Sequence, residues 1–125
     1  MSDFDINEFV VPVTVAGSVS ATTLAVPVIS LPFNVEVLGV NLVAGTGPAG
    51  AAMIVQLTLD GSNAYQSSGT DLRPTIADGA TSGSAVAPTL KNTLAAGKHL
   101  AVVVAQVGSG TAGSNLTVNI ALRKY

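Results

Sequence analysis

Cysteine and tryptophan are absent from this chain, aromatic residues make up 4% of it, and only 10% of its residues are Asp, Glu, Lys or Arg. Without cysteine there are no disulfides and no thiolate metal sites. The scarcity of flat aromatic rings gives little on which a sugar could stack, with Tyr65 and Tyr125 the only tyrosines. With five basic residues against seven acidic ones there is no basic stripe, so a nucleic-acid partner is not expected. Ordinary soluble domains carry about 25% charged residues, and mixed surface charge normally keeps copies of a protein apart. Yet 48% of this chain is hydrophobic, and its mean hydropathy is +0.56.

That hydropathy does not come from a membrane span. Crossing a bilayer as a helix takes about 20 predominantly apolar residues. The apolar stretch from Val10 to Val40 is interrupted by Pro, Ser, Thr, Asn and Glu. The start, Met1-Ser2-Asp3-Phe4-Asp5-Ile6-Asn7-Glu8, is acidic. It lacks the basic and apolar regions of a secretory signal, so synthesis in the cytoplasm without a signal peptide is expected. A chain of 125 residues is expected to form one domain. Few charges on an apolar body point to a small β-domain packed into a larger assembly.

The residues that are present alternate. Met53, Val55, Leu57 and Leu59 form one row, and Leu116, Val118, Ile120 and Leu122 another. Period two of this kind marks strands with one buried face. Leu100, Val102 and Val104 alternate with Ala101, Val103 and Ala105. With both faces apolar, that strand is expected to be central or covered on both sides. Val11, Val13 and Val15 enclose Pro12, while Leu24, Val26 and Val28 enclose Pro27. Proline cannot donate to a ladder, so both strands are expected at sheet edges. From Val35 to Val43 the apolar phase changes, which a bulge near Gly39 would reconcile. A further weak strand is expected from Val86 to Leu90.

Asp60-Gly61 reads as a two-residue hairpin turn. The loops Gly45–Gly50 and Gly108–Ser114 are read as flexible joins between strands, the first as a hairpin loop. Gly69–Gly83 is a long irregular excursion, easier to place as a crossing between sheets. The fold expected is therefore all-β, an antiparallel β-sandwich or jelly roll of about eight short strands. Residues 1–9 are read as an N-terminal arm and 10–125 as the sandwich domain.

Catalytic chemistry is not advertised. His99, the only histidine, opens a strand after Gly97-Lys98 and reads as an exposed strand-end residue. The carboxylates are dispersed, and Asp71 and Asp78 lack the dense oxygen cluster that calcium needs. Gly45-Thr46-Gly47-Pro48-Ala49-Gly50 superficially matches a dinucleotide fingerprint, but a strand follows it where a helix is required. No enzyme activity, cofactor or metal is expected. The positive signal is apolar outward positions, namely Ala101, Val103 and Ala105 on one face and Ala51, Ala52 and Ile54 beside another strand. Some of these are expected to face a neighbouring subunit.

The order of motifs resembles a known group. Val35–Asp60 reads as apolar strand, GTG-type loop, alternating strand and DG turn. It is followed by Ile76-Ala77-Asp78-Gly79, by Leu94-Ala95-Ala96-Gly97-Lys98-His99-Leu100-Ala101-Val102, and by Gln106-Val107-Gly108-Ser109-Gly110 before Leu116–Ile120. Over residues 10–125 this resembles the jelly-roll capsid decoration, or cement, proteins of tailed bacteriophages. Lys98 stands where the family's A-G-D-x-L turn carries an acid. The resemblance implies a structural virion protein on the outer capsid surface, often a homotrimer, that binds the major capsid protein and bridges its subunits. It implies partner contacts by the arm, through Asp3, Phe4, Asp5, Ile6, Glu8 and Phe9, and by the excursion, through Asp71 and Arg73. The alternative is a virion fibre or a receptor- or carbohydrate-binding β-sandwich module, motivated by the long loop with Tyr65 and Arg73.

Overall fold

The computed structural model describes residues 7–19 and 26–125. The chain builds the all-β antiparallel sandwich that the alternation predicts, with ten strands in place of about eight and no helix among the described residues. In chain order they are β1 (Glu8–Ser18), β2 (Val26–Ser30), β3 (Val35–Thr46), β4 (Met53–Leu59), β5 (Ser62–Asn63), β6 (Thr75–Ile76), β7 (Ser82–Ala85), β8 (Thr93–Leu94), β9 (His99–Gln106) and β10 (Ser114–Lys124). One sheet has the order β1-β10-β3-β7, with β8 also on β3; the other has the order β2-β9-β4-β5, with β6 also on β4.

The core lies between the sheets and is made by the alternating rows. Leu116, Val118, Ile120 and Leu122 of β10 face Met53, Val55, Leu57 and Leu59 of β4 and Leu100, Val102 and Val104 of β9, all buried in one cluster. β9 is central in its sheet, as its two apolar faces suggest.

β3 contributes to the core on both sides of a change of phase. Val35 and Val37 are buried, then Val40, Leu42 and Ala44. The β10–β3 register slips at this point, where Ala121 lies opposite Gly39 but Leu122 lies opposite Val37. The bulge expected near Gly39 is therefore present, and it turns both halves of the strand inward.

Both proline-bearing strands are edges, β1 in the first sheet and β2 in the second. Lys124 N–H donates to the Asn7 carbonyl, so the odd-numbered residues of β1 exchange ladder bonds with β10. The even-numbered residues turn their backbone groups to the open edge. Pro12 is one of these, so it costs no ladder bond and removes a donor from the exposed edge.

Two local expectations need correction. The segment from Val86 to Leu90 is not a strand; the strand there is β7, Ser82–Ala85, defined by pairing with β3. The loop after β3 is not a hairpin, because β3 and β4 belong to different sheets. It crosses the end of the sandwich and is fastened there, with Ala49 bonded to Thr111, Gly79 to the Pro48 carbonyl, and Gly50 N–H to an Asp78 carboxylate oxygen. The Asp60-Gly61 turn does close the β4–β5 hairpin, with φ of 53° and 83° at its two residues. The excursion crosses from one sheet to the other, adding β6 to β4 before β7 joins β3.

Candidate interaction surface

The described residues among those expected to meet a partner, Glu8, Phe9, Asp71 and Arg73, are not all brought together. Asp3, Phe4, Asp5 and Ile6 lie outside the described residues. Glu8 and Phe9, assigned to the arm, instead open β1, opposite Arg123 and Leu122. A Glu8 carboxylate oxygen lies 3.9 Å from Arg123, whose guanidinium also bonds Glu36 at 2.7 Å. Phe9 turns inward, its ring edge-on to Phe33 at 5.8 Å. The Lys124 ammonium sits over the Phe33 ring at 4.8 Å. Both residues thus serve the domain's own sheet.

Asp71 and Arg73 lie in the excursion attached to the other sheet, and they bind each other. The Arg73 guanidinium donates to both Asp71 carboxylate oxygens, at 2.9 and 2.7 Å, and Arg73 N–H donates to the same carboxylate. The hydrogen bond from the Arg73 side chain holds the Asp71 carboxyl below its ordinary range, with the Arg73 backbone N–H and charge adding to this and burial opposing it. Asp78 does not join them, since its carboxylate holds the Gly50 N–H. Among the described residues no group of three or more His, Asp or Glu could hold a metal ion.

Tyr65 is 1% exposed, so it does not offer a ring to a sugar. Its hydroxyl donates to the Val86 carbonyl, and burial pushes its pKa well above the ordinary range. The Gln56 carboxamide receives the Tyr65 N–H at 3.0 Å and donates to the Tyr65 carbonyl at 2.9 Å. This side-chain bridge ties the segment leading into the excursion to β4. His99 is exposed at the start of β9, as expected.

The outward apolar positions read from the sequence lie on the β2-β9-β4-β5 sheet, and most are covered. Ala101 is buried and Val103, Ala51, Ala52 and Ile54 are half-buried; only Ala105 is exposed. Of the larger exposed apolar side chains, Val10 (58%), Val43 (44%) and Val86 (76%) lie on or beside the opposite sheet, while Leu72 and Leu90 stand in connecting segments and Tyr125 follows β10.

Register assembles that face in rows. Glu8, Arg123, Glu36 and Thr93 form a charged row at one end. Next come Val10, Ala121 and Gly39, with the Val86 main chain beside Gly39. Pro12, Asn119, Asn41 and Ser84 follow, then Thr14, Thr117, Val43 and Ser82. Where the small residues Ala121 and Gly39 lie between larger neighbours there is a shallow groove of about 410 Å³, lined by Val10, Gly39, Val40, Asn41, Asn119 and Ala121. The alternation of β10 is visible in the sequence but this groove is not, because the residues that share it are distant in the chain and only the register joins them.

Among the described residues these features define a β-sandwich with one open, almost uncharged sheet face. No protein-family model matches the chain, and no curated protein matches it in sequence. In fold it is similar to a chain of the cyanophage Pam1 capsid asymmetric unit, at 17% identity and a TM-score of 0.53. The alignment covers 100% of this chain and 91% of that one, so the shared fold extends from end to end.

Proposed function

We propose that this chain is a structural virion protein that binds the outer surface of a phage capsid and bridges its subunits, working as a homotrimer without a catalytic step. The observation that carries this reading is the end-to-end fold likeness to a chain of a phage capsid asymmetric unit. The wiring supports it: with sheet orders β1-β10-β3-β7 and β2-β9-β4-β5, connections repeatedly pass between sheets, and we read this as a jelly roll.

The mechanism is linkage. A protein that binds the assembled shell and not its dissociated subunits stabilises the shell by mass action. Joining three copies turns a modest contact into an avid one when all three sites are reached together. A tightly packed core and fastened loops suit such a clamp, because little order has to be gained on binding. With Glu8 and Phe9 built into β1, the arm in this reading is residues 1–6. Phe4 and Ile6 are its apolar anchors, and Asp3 and Asp5 meet basic groups of the major capsid protein.

The fibre or glycan-binding alternative loses its motive. Tyr65 is buried, and Arg73 is held by Asp71.

Co-sedimentation with purified capsids of the encoding phage tests the proposal. Saturable binding at a fixed ratio to the major capsid protein is expected. Absence of binding to those capsids overturns it. Loss of binding on deleting residues 1–6, with the fold intact, is the expected result for the arm; undiminished binding removes the arm from the account.

A further inference from the structure

We infer that the outer face of the β1-β10-β3-β7 sheet, centred on the Val10–Ala121–Gly39 groove, is the surface on which another copy of this chain docks. The inference deepens the proposed trimer by naming its contact face.

Charge is the first argument. The charges of this face are Glu8, Arg123 and Glu36, confined to one row and paired with one another at 2.7 and 3.9 Å. The rows beyond them hold Val, Pro, Thr, Asn, Ala, Gly and Ser only. A strongly charged partner would gain no attraction there. A copy of the same chain, only 10% of whose residues are charged, brings an almost uncharged surface to this face and desolvates few unpaired charges there. Asn41 and Asn119, opposite each other at the groove, carry amides that both donate and accept, so they can answer polar groups of either kind on the copy.

Area is the second. β1, β3 and β10 have 11, 12 and 11 residues. At about 3.4 Å per residue and about 4.8 Å between strands, with β7 added, the face spans roughly 600 Å². That approaches the roughly 800 Å² per partner of a standard stable contact.

The third argument is that copies are steered away from the sheet edges. Pro12 interrupts the β1 edge and Pro27 lies in the β2 edge; β7 has four residues and β5 and β6 two each. Short or proline-broken edges are poor templates for strand addition. With edge pairing disfavoured, contact through a sheet face is left for a chain with so few charges.

The test is the solution mass of the full chain by sedimentation equilibrium, in wild type and three variants. Wild type is expected to be oligomeric. Ala121→Arg places a charge on the groove floor and is expected to raise the dissociation constant at least about a hundredfold. Val10→Asp, at an exposed edge position, is expected to do the same without lowering the melting temperature. Ala105→Arg, on the opposite sheet, is expected to leave the mass unchanged. A monomeric wild type at about 100 μM overturns the inference. So does an oligomer that tolerates Ala121→Arg and Val10→Asp, or one broken by Ala105→Arg. Capsid binding is read separately. A monomer that decorates capsids keeps the virion role and removes this face, and an oligomer that binds no capsid does the reverse.

Discussion

Ala121 lies directly opposite Gly39 across β10 and β3, and the register slips immediately beyond the pair, where Leu122 meets Val37. That slip turns Val37 and Val40 both inward and leaves the Ala121 methyl group and Gly39 side by side, next to the half-buried, unpaired Leu38 of the bulge. One backbone irregularity therefore completes the core and shapes the groove.

Gly39 is held to its size by the neighbouring strand. A Cβ there would sit 3.0 Å from the Ala85 carbonyl oxygen. Gly39→Val should destabilise the fold by about 1–3 kcal/mol through overpacking against backbone. Chemical denaturation measures it, and an unchanged midpoint would show that β7 yields easily.

Gln56 is 6% exposed and serves two backbone groups of Tyr65. Gln56→Leu keeps the bulk but leaves the Tyr65 N–H and carbonyl without these partners. Each unsatisfied buried group costs about 1–3 kcal/mol, so a loss of about 2–6 kcal/mol is expected in urea unfolding. Loosening should appear first in hydrogen exchange of the excursion that follows Tyr65.

The Tyr65 hydroxyl gives a pH dependence of definite sign. Burial raises its pKa in the folded state above the unfolded value of about 10. The unfolded chain therefore loses this proton first. Stability is fully present below about pH 10 and falls above it, by up to about 1.4 kcal/mol per pH unit. Tyr65→Phe should remove that component of the alkaline decline while costing about 1 kcal/mol at neutral pH for the lost bond to Val86. Thermal melts across pH 8 to about 11 compare the two proteins.

Pro12 is expected to protect the β1 edge. Pro12→Val restores an outward N–H in a strand whose even-numbered backbone groups face the open edge. The variant should form concentration-dependent aggregates in light scattering, with little change in the melting temperature of the dispersed protein. A variant as well behaved as wild type would mean that another feature guards this edge.

Much of the fold was legible because local chemistry specified it. The Asp60-Gly61 turn, the edge positions of the proline strands and the bulge at Gly39 each follow from the conformations that a few residues allow. β7 was not legible, since Ser82-Gly83-Ser84-Ala85 carries no large apolar row and is a strand only because β3 binds it. Val86 and Leu90 resembled core residues but stand exposed. Phe9 and Glu8 suited a mobile arm by composition, yet partners more than a hundred residues away, Leu122 and Arg123, hold them in the sheet. The docking face shares that difficulty: its outward residues are ordinary in sequence, and only the register gathers Val10, Gly39 and Ala121.

The central claim is mechanical, and the most direct measurement is the temperature at which filled capsids release their genome, followed with a DNA-binding dye as this protein is added back to undecorated shells. The account predicts that the release temperature rises with occupancy and levels off when the binding sites are full. Saturated shells that release their genome at the same temperature as bare ones would contradict it.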